Sequence, residues 1–263
     1  QELNLDNWNS FLKKFKNPKH NIKIGLVGKY VELQDSYKSI LESLIHAGAE
    51  NETEIDVISI HSEHLDKSNV EELLNCLNGL IVAPGFGERG IEGKINAITY
   101  ARENKIPFFG ICLGMQMAVI EYARNKVGLV EANSTEMVPN CKDPVIDLME
   151  SQKKIIRKGG TMRLGSWDCD LNENTISANA YAISSISERH RHRYEFNNGY
   201  FEKVFDQDFI VAGTNPETGL VEIVEYKNHP WFVGVQFHPE YKSTVSTPHP
   251  LFKAFVKASL GNK

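Results

Sequence analysis

The chain has 263 residues, 41% of them hydrophobic and 24% charged, with a formal net charge of −5; this suits one large globular domain or two small ones. The acidic balance excludes a global attraction to nucleic acid or to an anionic membrane surface. The four cysteines, at 76, 112, 141 and 169, include no CxxC and no close pair, which excludes a disulfide framework or a zinc site and suits a reducing cytoplasm.

No apolar run is long enough for a membrane span, and no secretory signal is present. The chain starts with Gln1 rather than Met, the pattern of a fragment of a longer chain or of a processed one. Within residues 1–20, Leu5, Trp8, Leu12 and Phe15 recur at helical spacing until Asn17-Pro18, the pattern of a flanking helix. Apolar runs at 22–27, 55–60, 79–83 and 107–111 then read as strands, separated by helical patterns at 37–47, 70–77 and 95–104. Such alternation predicts an α/β fold, a doubly wound and mostly parallel sheet flanked by helices. Ligand sites in these sheets lie beyond the carboxyl ends of the strands. The second half differs. Residues 125–160, with Pro139 and Pro144, read as loop and short helix. Short strands at 194–196, 209–213 and 220–226 predict a small antiparallel hairpin addition; 232–237 is a last apolar strand and 251–260 a closing helix.

The fourth run ends in Gly110-Ile111-Cys112-Leu113-Gly114, with helical spacing at Met117, Ala118 and Glu121. A strand turning sharply into a helix around a small nucleophile is the nucleophile-elbow pattern, and a helix N-terminus favours the thiolate form of a cysteine. The competing reading is a small buried apolar residue. The 232–237 strand leads into His238-Pro239-Glu240. Pro239 biases His238 towards extended geometry, so the imidazole and the carboxylate can project together. Cys112 as nucleophile, His238 as base and Glu240 as its orienter make a set for acyl transfer. Alternatively, His238 is a satisfied polar residue at a strand end. The backbone N–H groups of Gly85, in Ala83-Pro84-Gly85-Phe86-Gly87 after the third strand, and of Leu113 are the candidate oxyanion hole; a plain Pro-Gly turn is the alternative.

Gly-Ile-Cys-Leu-Gly-Met-Gln with a distant Phe-His-Pro-Glu resembles the class I (triad-type) glutamine amidotransferases. Further stretches resemble the glutaminase domains of CTP synthases: Gly25 to Tyr30, Gly85 to Gly90, Glu92-Gly93-Lys94, Ala132 to Glu136, Gly160 to Gly165, Glu188 to Glu195 and Asn228 to Phe232. They run in family order across nearly the whole chain, with Pro84 standing where the family often has glycine. The resemblance implies a linker helix at 1–20, following a synthetase domain absent from this sequence, and a glutaminase domain at 21–263. It implies that L-glutamine is held by Gly85, Leu113, Gly114, Met115, Gln116, Glu136 and Arg193; without it, Glu136 and Arg193 read as solvated surface charges. It also implies GTP as an activator, for which Phe86, Arg89 and Arg163 are candidates because aromatic and guanidinium groups suit a purine triphosphate. No cofactor and no metal are expected in this domain. The resemblance places ATP and Mg2+ in the synthetase domain, and with no Gly-x-x-x-x-Gly-Lys-Ser/Thr loop in this sequence the chain alone is not expected to make CTP. The whole enzyme is expected to be a cytoplasmic homotetramer.

Three other classes fit parts of the pattern: another class I amidotransferase or a γ-glutamyl hydrolase of the same fold, a non-catalytic domain, and a nucleic-acid binder using the basic run 189–193. The intact Cys112, His238 and Glu240 weigh against the second of these and the net charge against the third.

Overall fold

The computed structural model describes residues 5–148 and 162–262. The strands β1 (His20–Gly28), β2 (Thr53–His61), β3 (Gly79–Val82), β4 (Phe108–Ile111) and β12 (Phe232–Val235) form the parallel part of a nine-stranded sheet. The sheet continues antiparallel through β11 (Val221–Tyr226), β10 (Phe209–Thr214), β7 (Arg163–Leu171) and β8 (Ser185–His192), in the order β2-β1-β3-β4-β12-β11-β10-β7-β8.

Strands β3, β4 and β12 are buried at every position, as expected for parallel strands covered on both faces. One face packs against α2 (Lys38–Glu50) and α8 (Pro250–Gly261), through Ile40, Leu44, Phe252 and Phe255. The other packs against α4 (Ile91–Glu103) and α5 (Leu113–Tyr122), through Ile95, Ile98, Met115 and Val119. This is the doubly wound arrangement expected of the alternating apolar runs. Short helices α3 (Val70–Leu74), α6 (Ile176–Tyr181) and α7 (Phe201–Val204) complete the periphery.

Three differences from expectation have physical causes. The segment after 125 is not all loop and short helix. It contains β5 (Ala132–Ser134) and β6 (Asp143–Leu148), which join β9 (Tyr194–Phe196) in a second, three-stranded sheet. Pro144 sits near the start of β6, where a missing N–H is tolerated, and the β5–β6 register shifts there. Residues 149–160 of that segment, with Thr161 of the quoted 160–165 stretch, lie outside the described residues. The antiparallel addition is four strands rather than one hairpin. On the flanking helix α1 (Asp6–Lys16), Phe11 and Leu12 turn towards α2, with the Phe11 ring 6.4 Å from His46. Leu5, Trp8 and Phe15 of the expected stripe are about half exposed.

Candidate active site

Cys112 stands between β4 and α5 with φ 51° and ψ −102°, a backbone conformation that costs an L-residue about 1–3 kcal/mol and is held only by its surroundings. The flanking glycines show how. A Cβ on Gly110 would lie 2.8 Å from the Gly114 backbone, and one on Gly114 would lie 2.1 Å from the Val82 carbonyl oxygen. No side chain fits at either position, so helix and sheet close on each other and drive the turn between them. The Cys112 N–H donates to Val235 O at 2.7 Å, tying the elbow to β12. The first helical bond of α5 runs from Gln116 N to Cys112 O at 3.2 Å, so the amides of 113–115 precede the ladder.

The chain after β12 brings the second pair. His238 Nδ1 lies 2.7 Å from Glu240 Oε1 with both side chains buried. The extended-strand explanation does not hold, because β12 ends at Val235 and Glu240 sits in a 3-10 turn, Pro239–Tyr241. Pro239 starts that turn, and the turn folds the carboxylate back onto the ring. His238 N donates to Arg189 O at 2.8 Å, fixing the segment to β8, and the Tyr241 ring stacks on the imidazole at 5.0 Å. Burial opposes a charged ring here, but the Cys112 sulfur and the Glu240 carboxylate outweigh it and hold His238 up at about 11. His238 Nε2 is buried with no other hydrogen-bond partner, which leaves it for the thiol. The arrangement favours the charged imidazole beside the thiol.

Cys112 and His238 open into a cavity of about 790 Å³, lined also by Gly85, Phe86, Gln116, Glu136, Arg193 and Tyr241, a size suited to a small molecule. Three polar side chains fix its rim loop. Glu136 Oε1 accepts from Gly87 N at 3.0 Å, Lys29 Nζ donates to Phe86 O at 3.4 Å, and Lys94 Nζ donates to Ala83 O at 2.9 Å. A Cβ on Gly85 would touch the Leu113 side chain at 3.4 Å, so the 83–87 loop packs against the first residue of α5.

Not every expected contact reaches the cavity through its side chain. Leu113 and Met115 are buried in the core behind the elbow, and Gly114 is locked against Val82; these three have only backbone groups to offer. Gln116 is at the cavity, with its Nε2 donating to Tyr194 O at 2.8 Å and to Gln236 Oε1 at 3.1 Å. Among the nucleotide candidates, Phe86 is 65% exposed and Arg89 pairs with Glu63 at 3.2 Å near the surface. Arg163 corrects the expectation. Its guanidinium is buried, 2.7 Å from Glu222 and 3.6 Å from Glu195, and lies over the Trp167 ring, where an incoming triphosphate has no access.

The sequence reading missed Gln236. It is fully buried and its Nε2 approaches Cys112 Sγ at 3.7 Å. Its place two residues before His238 was the available signal. No group of three or more His, Cys, Asp or Glu side chains among the described residues is arranged to hold a metal ion, and none of their helices is long and apolar enough to cross a membrane.

The family model "Glutamine amidotransferase class-I" matches residues 32–258. A CTP synthase of Christiangramia forsetii is 64% identical over 256 residues, covering 97% of this chain and 47% of the relative. A CTP synthase of Clostridium acetobutylicum is 56% identical over 259 residues, 98% of this chain and 48% of the relative. The chain thus spans about half the length of the curated relatives it matches. Among solved structures, the glutaminase domain of Trypanosoma brucei CTPS with bound acivicin superposes with a TM-score of 0.85 at 36% identity, covering 92% of this chain and 95% of that one. A glutamine amidotransferase of Thermotoga maritima shares the fold at 14% identity and a TM-score of 0.51, covering 91% of this chain and 96% of that one.

Proposed function

The chain belongs to the class-I glutamine amidotransferases, and we propose that it is the glutaminase unit of a CTP synthase, which hydrolyses L-glutamine through a thioester on Cys112. The observation that carries this is the buried Nδ1–Oε1 contact of 2.7 Å between His238 and Glu240, with the other ring nitrogen left for the Cys112 thiol at the cavity wall.

The Cys112 thiolate adds to the side-chain amide carbon of glutamine, a C–S bond forms, and the carbonyl π pair moves onto oxygen. The amides of Gly85 and Leu113 receive that oxyanion, each worth about 3–4 kcal/mol. Imidazolium His238 gives its proton to the amide nitrogen as the C–N bond breaks, and ammonia leaves. Water then attacks the γ-glutamyl thioester while His238 takes its proton, which releases glutamate and regenerates the thiolate. Glu240 holds the ring and its charge throughout. Glu136 binds the substrate ammonium and Arg193 its carboxylate, with Gln116 and the backbone of Leu113 to Met115 completing the walls.

In the whole enzyme the ammonia passes to a synthetase domain that precedes this unit, joined to it through α1, and aminates ATP-activated UTP to CTP with Mg2+. GTP activates through a surface that includes Phe86 and Arg89. The assembly is a homotetramer in the cytoplasm.

A glutamine-mimicking electrophile such as a diazoketone tests the site. It is expected to mark Cys112 alone among the four cysteines when peptides are mass-mapped, and Cys112→Ala is expected to release no ammonia from glutamine. Label on Cys141 or Cys169, or ammonia release by the variant, would overturn the assignment. Turnover of γ-glutamyl peptides but not of glutamine would replace the substrate.

A further inference from the structure

Beneath the Gly85 loop lies a lysine shut off from water. Lys94, in the first turn of α4, is 1% exposed, and its Nζ donates to Ala83 O at 2.9 Å. A Cβ on Gly85 would stand 3.6 Å from that nitrogen, so the ammonium rests against the turn that presents the Gly85 amide. Its direction is fixed by Gly93 before it, where a Cβ would collide with Ser62 O at 1.8 Å. A buried cation needs a counter-charge, and no Asp or Glu among the described residues pairs with Lys94. Burial pushes it down to about 7, the Cys112 sulfur works in the opposite direction, and Lys29 adds to the lowering. A purely structural plug at this position would be cheaper as an apolar side chain.

We propose that Lys94 is a positioning residue for Cys112: its ammonium pins the Ala83 carbonyl so that the Gly85 amide is held at the oxyanion position, and its charge is the counter-ion of the thiolate. As the thiolate adds to the substrate carbonyl, negative charge moves from sulfur to oxygen beside the same cation. The role in turnover rests on the glutaminase reading, but the effect on the thiol does not. The groups that act on Cys112 are His238 with its partner Glu240 from the turn after β12, Gln236 before that turn, and Lys94 from α4, which Lys29 in turn acts on.

The test compares Lys94→Met with the wild-type chain. In the folded variant, the pH midpoint of iodoacetamide labelling at Cys112 is expected to rise by about one unit. Its kcat for glutamine is expected to fall at least about tenfold, with KM changed less than about threefold. An unchanged labelling profile, or a loss confined to KM, would overturn the proposal. A second measurement needs no variant. In wild-type chain carrying 13C-labelled lysine, the Lys94 titration is expected to move down once Cys112 is capped as a neutral thioether, and a titration that stays put would equally overturn it. A wild-type chain that hydrolyses no glutamine would sink the functional reading while leaving both thiol measurements to decide Lys94.

Discussion

The two halves of the nine-stranded sheet handle charge in opposite ways. In the parallel half, β3, β4 and β12 carry only apolar residues and glycine, and the proposed triad Cys112, His238 and Glu240 comes just past the strand ends. In the antiparallel half, ionisable residues lie within the strands themselves. Arg163 of β7 meets Glu222 of β11 and Glu195 of β9, and His190 of β8 lies 3.8 Å from Glu222. Burial pushes Glu195 up to about 8 and Glu222 to about 7 in spite of Arg163. It pushes His192 down to about 3, with Arg163 assisting. On the proposed function, the strand-end charges serve chemistry, while the mid-strand charges pair across β7, β8 and β11.

Glu240→Gln probes the strand end. Glutaminase kcat is expected to fall by about 10²–10⁴-fold, because a neutral amide neither orients nor stabilises the imidazolium. The urea midpoint should change little, and a large stability loss with intact kcat would erase the distinction between the halves. Arg163→Met probes the mid-strand cluster. Leaving two buried carboxyl groups without their cation is expected to cost about 3–5 kcal/mol in urea unfolding, while the folded fraction keeps its labelling of Cys112. A cost below about 1 kcal/mol would mean that the cluster carries little of the fold. Glu222→Gln sharpens the point through pH. A carboxyl whose folded pKa is raised from about 4.5 to about 7 stabilises fully below the unfolded value and loses that contribution as pH rises through about 7. Wild type should therefore lose urea resistance between about pH 4.5 and pH 7 more steeply than the variant; parallel profiles would remove the buried carboxyl from the account.

The same contrast explains what could be read in the amino-acid sequence. The runs at 22–27, 79–83, 107–111 and 232–237 announce themselves because strands covered on both faces must be apolar. β7 and β8 do not, since Arg163, Glu188, His190 and His192 are buried by pairing with one another's neighbours, and no hydropathy pattern records a partner. The proposed triad was reached from strand-end positions, although a 3-10 turn rather than strand alternation brings Glu240 to His238. Glu136 and Arg193 came from the family resemblance alone. Lys94 appeared only inside a quoted family stretch, with no role, and Gln236 was passed over, because an isolated lysine or glutamine carries no spacing signal of its own.

All ten residues of α5 are buried, so the helix that begins at the nucleophile has no face turned to water. Its ladder amides, from Gln116 onward, are expected to exchange with solvent only when the whole domain opens. The thiol thus sits at the head of a wholly buried helix, an anvil rather than a lever. Whatever adjusts the site's readiness has to act on the opposing surfaces, the 83–87 loop and the 191–194 strand crossing, which can shift without unfolding the protein.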